Sequence, residues 1–419
     1  MSSDGGLLAL REVEQRLAIA SRLAACIRDP RDPGRVVHGL DEIIRTRMLM
    51  IAAGYEDGND ADRLRRDPML KLAMGHLPDD GDLCSQPTIS RLENLPDARA
   101  LLRMGRAMVD HYCQSFRQVP RRIVLDVDDT FDAVHGGQQL RLFNAHHDEY
   151  GFQPMVVFDG DGRMVAAVLR PARRPSGKQI VRWLDRLITA IRGNWPRVGI
   201  MLRADSHYCT PEVLRFCRTQ GLDYTLGVAP TSTLRKHVLT LEQSTAARAT
   251  AVADGTKLRR FKDFYDAAAS WDRVERVVAR VEAGPQGTDT RFVVTSLLGP
   301  SGRTVYQDIY CARGQAENYI KEWKTHLAAD RTSCCRASAN QVRLILHVGA
   351  YWLMWSLRTL LPCRSRWRVA QFDTLRLRLV KLAVRIEVLK TQVRLHLPRA
   401  TPDQALFAML LTRMPRLSI

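Results

Sequence analysis

Apolar residues recur every three or four positions through residues 6–118, and every second position from residue 121 onward. The first spacing lays an apolar stripe along a helix; the second puts alternate residues on one face of a strand. Helices are therefore expected at 7–28, where Asp-Pro-Arg-Asp-Pro-Gly stops the pattern, and at 41–55, 67–77, 85–94 and 97–116. Pro87 at the first turn after Ser85 suits a helix entry, where its missing N–H costs nothing. The tip carrying Thr88, Ser90 and Arg91 fits a helix-turn-helix reader of DNA, and equally a plain helical bundle.

Residues 121–130 read as a strand with Ile123, Leu125 and Val127 on one face and Asp126 and Asp128 on the other. Apolar runs on either side of Asp159-Gly160-Asp161-Gly162 signal a hairpin. A helix at 176–195, a buried strand running up to Asp205, a helix closed by Gly221 and a strand at 223–229 follow. Three antiparallel strands and then parallel ones make a mixed α/β layer, an order compatible with a ribonuclease-H-like fold. Residues 240–305 break the alternation with β-branched and aromatic residues of little helical period, which predicts a β-rich insertion. Helices resume at 307–330 and 340–361, and the tail reads as a hairpin (384–388 with 393–397) and a closing helix at 401–414. The expected organisation is a helical region over 1–120, a core over 121–239 and 306–360, the insertion over 240–305, and a basic helical and hairpin tail over 361–419.

Composition narrows the class. The chain has 419 residues, 45% hydrophobic and 26% charged, which is globular and long enough for more than one domain. No apolar run is long enough to span a bilayer, and residues 1–15 lack the pattern of a secretory signal. Nine scattered cysteines do not make a disulfide framework, so a reducing, cytoplasmic setting is expected. The net charge of +18 is unevenly placed: −1 over 1–120, +6 over 121–330 and +13 over 331–419. Such asymmetry points to a polyanion, nucleic acid first and an acidic membrane surface second.

Three acids stand out by position. Asp128 and Asp205 each end an apolar strand, and Glu317 lies on the helix after the insertion. Their wide separation forbids a local motif, so only the fold can unite them. Carboxylates are hard oxygen ligands of the kind that two-metal phosphoryl transfer requires, though each acid alone also suits a turn or a solvated charge. Tyr310, Arg313, Glu317 and Lys324 project to one side of an ideal helix, with Lys321 beside them. That face reads as a carboxylate bracketed by phosphate-holding cations, or as a surface helix stitched by Arg313–Glu317 and Glu317–Lys321 pairs.

These motifs together resemble the bacterial insertion-sequence transposases of the DDE type, in particular the insertion sequence 1380 family. Tyr310-x2-Arg313-x3-Glu317-x6-Lys324 matches the Tyr-Arg-Glu-Lys signature shared with the insertion sequence 4 group. Leu125 to Thr130, followed by His135-Gly136, matches the context of the first acid, and Arg203 to Ser206 that of the second. Similar too are GYEDGNDADRLR, SQPTISRLEN, RFVVTSL, YCARGQAEN and DRTS, so the likeness runs from about Gly5 to the Pro-Asp-Gln-Ala-Leu-Phe of the tail. The resemblance implies a ribonuclease-H-like catalytic core with a β-rich insertion, preceded by a helical region that binds DNA ends. It implies that Asp128, Asp205 and Glu317 are catalytic and hold two Mg²⁺ ions, with Mn²⁺ as a substitute. Arg313, Lys324 and Lys321 would hold DNA phosphates, and Tyr310 would brace the backbone. The Asp-x-Thr register favours Asp128 over Asp126. Implied partners are double-stranded DNA, both terminal inverted repeats and target, with a homodimer on DNA at the nucleoid and no membrane.

A nuclease that cuts without strand transfer would use the same acids without needing Arg313 and Lys324. A domesticated or inactive DNA-binding protein would keep end binding alone. Gly177-Lys178 lacks the rest of a phosphate-binding loop, and no cysteine pattern suits zinc. His207 beside Asp205 reads as loop structure or a ligand, His146-His147 as solvated or lining the site, and Trp323 as packing or a base stacker.

Overall fold

The first stretch is helical throughout: α1 (Leu7–Leu17), α2 (Ile19–Ala24), α3 (Leu40–Ala52), α4 (Ala61–Leu64), α5 (Pro68–Met74), α6 (Gln86–Asn94) and α7 (Ala98–Gln114). The structure is a computed structural model that describes residues 1–251 and 256–412. The helix expected over 7–28 breaks at Ala18, whose φ of 51° is left-handed. The buried Glu14 carboxylate explains the bend, because it accepts a hydrogen bond from Ala20 N at 3.0 Å and so caps α2. Residues 75–85 separate α5 from α6, a link too long for the tight turn of a helix-turn-helix.

The period-two region forms β1 (Arg122–Asp129), β2 (Asp132–Ala133), β3 (Leu142–Asn144), β4 (Glu149–Phe152), β5 (Met155–Asp159) and β6 (Met164–Val168). After α8 (Gly177–Asn194) come β7 (Gly199–Ala204), α9 (Pro211–Thr219), β8 (Asp223–Val228) and α10 (Ser232–Thr250), then β9 (Leu258–Asp266), β10 (Glu275–Gly284) and β11 (Gly287–Thr295). Among the described residues, eight strands join in one mixed sheet, ordered β6-β5-β1-β7-β8-β11-β10-β9. β1 pairs antiparallel with β5 (Leu125↔Asp159) and parallel with β7 (Leu125↔Leu202), so both of its edges are hydrogen-bonded and it lies inside the sheet. The expected alternation of three antiparallel strands followed by parallel ones is thus present.

Two features differ from the sequence expectation. Residues 240–250 belong to α10 and are not strand; Thr231 caps that helix through Leu234 N at 3.2 Å. Its Thr- and Ala-rich sequence has a weak apolar stripe, so periodicity does not reveal it. The three strands that follow also extend the main sheet, because β11 pairs with β8 through Thr225↔Thr295. Separately, β2, β4 and β3 form a small three-stranded sheet, an element that the sequence pattern did not predict.

Past β11 the chain is helical from Thr304 to His326, with wide π-turns at Thr304–Tyr310 and Glu322–His326 on either side of α11 (Gly314–Lys321). Next come α12 (Ala337–Thr359), α13 (Phe372–Leu375), the antiparallel pair β12 (Arg385–Val388) and β13 (Val393–His396), and α14 (Gln404–Thr412). Residues 413–414 of the expected closing helix lie outside the described residues. α12 is apolar on nearly all sides and buried accordingly: Leu344, Leu346, Ala350 and Leu353 have no exposed surface. It packs on α1, α3, α6 and α7 and on β6, while Tyr351 Oη and Trp352 Nε1 donate to the carbonyls of Gly162 and Met164. One core therefore runs from the first helices through the sheet to the tail.

The chain's beginning is clasped by residues 380–384. Ser2 and Val384 exchange backbone hydrogen bonds, and the N–H groups of Gly5 and Gly6 donate to the carbonyls of Leu382 and Val380. A Cβ at Gly6 would lie 1.8 Å from the Leu379 carbonyl oxygen, so only glycine allows this approach. Among the described residues, no helix is long and apolar enough to cross a membrane.

Candidate active site

Three acids near the end of β1, Asp126, Asp128 and Asp129, are distinguished by their partners. Asp126, almost fully buried, sits in a two-pronged ion pair in which Arg203 Nε and Nη2 each donate at 2.7 Å. Arg203 Nη1 also donates to the Ile309 carbonyl at 2.7 Å, so this side chain ties β1 and β7 to the helical segment bearing Tyr310 and Arg313. Asp129 points to the opposite face, where it accepts from Tyr208 Oη at 2.6 Å, Arg170 Nη1 at 3.2 Å and Gln153 Nε2 at 3.4 Å. Both carboxylates are spent on structure. Asp128 is left with the N–H of the next residue, Asp129, at 3.0 Å and Arg313 Nη1 at 3.3 Å.

Asp205 lies beside Asp128 because parallel strands bring their ends together. The last paired residues are Val127↔Ala204, and the two acids are the next residue on each strand. Ligand sites in such sheets collect at the carboxyl ends of the strands. Asp205 Oδ1 accepts from the N–H of His207 at 2.9 Å, while His207 Nδ1 stands 3.6 Å from Oδ2. Burial pushes the Asp128 carboxyl up to about 6, an effect that Arg313 opposes and the Asp205 charge reinforces.

The helical segment lends this pair two further groups. Arg313 turns inward to Asp128 and makes no pair with Glu317, so the helix is not stitched along its surface. Tyr310 is partly buried among Arg313, Asp205 and Asp128, and burial holds its hydroxyl above the usual phenol range. Gly227 on β8 makes room for it: a Cβ there would come within 2.6 Å of Tyr310 Oη.

The other signature residues sit differently. Lys324 Nζ donates to the Phe131 carbonyl and lies 3.9 Å from Asp132 Oδ1, a fully enclosed carboxylate. Glu317 and Lys321 are exposed, and Glu317 has no hydrogen bond or ion pair among the described residues. The single face expected for an ideal helix is divided because the segment changes pitch at both ends. Trp323 is buried, so it packs and offers no stacking face. No group of three or more acids, histidines or cysteines is gathered for a metal ion among the described residues. The donor chemistry at Asp128 and Asp205 suits a hard divalent cation, whereas Glu317 does not join them in this arrangement.

Part of the basic tail is also consumed internally. Arg358 pairs with Glu322 at 2.6 Å, Arg376 donates to the carbonyls of Ala52 and His326, and Lys381 pairs with Asp4 at 2.8 Å. Arg364, Arg366, Arg385 and Arg399 make no ion pair among the described residues.

The sequence profile of the family described as transposase DDE domain group 1 matches residues 1–419. No curated protein matches. Among solved structures, the piggyBac transposase synaptic complex with hairpin DNA, determined by cryo-EM, is similar at a TM-score of 0.43 and 10% identity, covering 90% of this chain and 80% of that one. On the family match over its whole length, the chain belongs to the transposase DDE domain family, group 1.

Proposed function

We propose that this transposase binds the ends of an insertion sequence, cuts them with two divalent metal ions and joins the freed 3′ ends to target DNA. The observation that carries the reading is the division of labour at β1: Asp126 and Asp129 are saturated by Arg203 and by Tyr208 with Arg170, which leaves Asp128 facing Asp205. In this reading the sheet centre, β6-β5-β1-β7-β8, is a ribonuclease-H-like core, and the insertion sequence 1380 likeness of the motifs supplies the closer kinship.

Asp128 and Asp205 would hold Mg²⁺, or Mn²⁺ in its place, and Glu317 would complete the set once DNA draws its exposed side chain inward. Such ions, when bound, polarise the attacking and leaving oxygens of phosphoryl transfer. Arg313 leaves Asp128 for a DNA phosphate and so offsets the charge that the acids otherwise share. Tyr310, braced over Gly227, fixes the depth to which the DNA backbone can enter. Lys321, exposed one turn after Glu317, meets a phosphate further along the strand, and Lys324 joins the helix to β2 at the rim. Residues 1–120, with a net charge of −1, read DNA ends by placed contacts, while the tail arginines that make no ion pair among the described residues follow the duplex. A homodimer on two ends completes the reading.

The test is Asp205→Asn assayed with DNA bearing the sequences that flank the coding region. End binding should persist within a fewfold while Mg²⁺-dependent cleavage is lost. Undiminished cleavage would remove Asp205 from the site.

A further inference from the structure

The small sheet β2-β4-β3 carries an aromatic face that no role above uses. Phe143 and Tyr150 are a directly opposed cross-strand pair, their ring centroids 5.4 Å apart at 64°. Arg141, two residues before Phe143 and therefore on the same face, places its guanidinium 4.7 Å from the Tyr150 ring centroid. Both rings are about half exposed, at 48% and 49%. Two adjoining half-exposed rings with an arginine against them form a contiguous patch, the kind of surface that marks contact with a partner.

The face is held in place beside the acids. β2 follows Asp128 and Asp129 within a few residues, and Val134 N–H donates to the Tyr150 carbonyl at 2.8 Å. Phe131, whose carbonyl receives Lys324, stacks on His147 with centroids 4.1 Å apart and planes at 12°. On the outer side Gln139 N–H donates to the Cys335 carbonyl, and Asn144 Nδ2 donates to the Ala172 carbonyl at 3.2 Å. Between these anchors Leu140 is kept at a φ of 68°, left-handed for a bulky residue, and more than half exposed. A Cβ at Gly151 would strike the Asp132 carbonyl oxygen at 2.4 Å and the Phe131 ring at 2.6 Å, so β4 lies tight against β2.

The charges nearby suit a polyanion. Arg173 and Arg174, next to the Ala172 anchor, are exposed and make no ion pair among the described residues. Lys324 adds a cation on the inner side; of the two exposed acids before Tyr150, Glu149 points by alternation to the opposite face and Asp148 stands in the turn at a φ of 53°, so that the arginines outnumber the acids here.

We propose that the Arg141–Tyr150–Phe143 face is a stacking platform for nucleobases of an unpaired DNA strand next to the acids. The platform rests on the reading of the chain as a DNA-cutting transposase. Every base has an aromatic face, so stacking holds a strand without reading its sequence, and Arg141 adds a cation above the rings. A strand parted from its duplex at the cut end is the occupant, with its phosphates toward Arg173 and Arg174 and its bases on the rings.

The test uses the full chain and a short single-stranded oligonucleotide carrying 2-aminopurine, whose fluorescence falls when it stacks. Wild type should quench the probe. Phe143→Ala with Tyr150→Ala should weaken binding about tenfold or more, while Phe143→Tyr with Tyr150→Phe, which keeps both rings, should bind as wild type. Circular dichroism of each variant, unchanged from wild type, establishes that the sheet has not unfolded. A double-alanine variant that binds and quenches as wild type overturns the platform and leaves the transposase reading intact. Wild type that binds neither this strand nor any duplex overturns both. If the double-alanine variant instead loses a self-association that wild type shows in sedimentation, with quenching unaltered, the face is a contact between copies and the proposal fails.

Discussion

Replacing Asp128 by Asn removes a charge that the folded protein holds at a cost. Burial lifts its carboxyl from the usual 3.8 to about 6 even with Arg313 alongside, and its side chain is only 16% exposed. A rise of that size corresponds to about 3 kcal/mol between the two protonation states. The sign follows from proton binding. Between about pH 4 and pH 6 the folded chain holds a proton at this site that the unfolded chain has lost, so stability falls as pH rises through that window. The cost is absent below about pH 4 and complete above about pH 6. Asn has nearly the same shape and no charge, so the variant should melt with wild type near pH 4 and above it at pH 8. Saturating Mg²⁺ should then raise the wild-type melting temperature and leave that of Asp128→Asn in place, since a ligand stabilises only the fold that binds it. Differential scanning fluorimetry across pH, with and without Mg²⁺, reads all of this. A variant less stable than wild type at pH 8 would show that Asp128 is a structural anchor like its neighbours, and a gain independent of pH would show that the cost does not come from its ionisation.

Arg203→Ala should cost about 3–5 kcal/mol by leaving Asp126 buried and unpaired; denaturant titration would detect it, and adding Asp126→Asn should recover most of the loss. Gly227→Ala should slow cleavage by driving the Tyr310 hydroxyl from its place, with Tyr310→Phe restoring part of the rate in the double variant; equal rates for wild type and Gly227→Ala would refute the fit. Asp126→Asn should leave more cleavage activity per folded molecule than Asp128→Asn, and the opposite order would reassign the first acid. Lys324→Ala should loosen the rim, seen as faster hydrogen exchange of β2 amides around Phe131, whereas an effect confined to the salt dependence of DNA binding would make Lys324 a phosphate contact instead.

What could be read in advance was what lies along one element. Alternation in residues 121–130 placed Asp126 and Asp128 on one face, and the succession of three antiparallel strands and then parallel ones was legible from the order of the elements, whereas the joining of β9–β11 to the same sheet was not. Alternation could not tell which of the two acids is free, and only the Asp-x-Thr register of the resemblance favoured Asp128, because the answer depends on Arg203, 77 positions away and on another strand. The Tyr310–Lys324 face was drawn on a helix of constant pitch, and the π-turns at either end redirect Lys324 toward β2. α10 was missed for want of an apolar stripe. The small sheet went unseen because its strands have two to four residues, too few for any period to show.

The clasp between residues 2–6 and 380–384 has a consequence for how the molecule is made. A ribosome adds about 5–20 residues per second, so the first strand-like pairing waits roughly 20–75 s for its partner to emerge. During that interval α1 can pack on α3 and α5, but the surface it turns to α12 and to residues 379–384 stays uncovered. Folding is therefore not vectorial. The pairing of residues 2–6 with 380–384 is made late, and substitutions at Gly6 should reduce the yield of soluble protein during synthesis more than they shift the melting of molecules already folded.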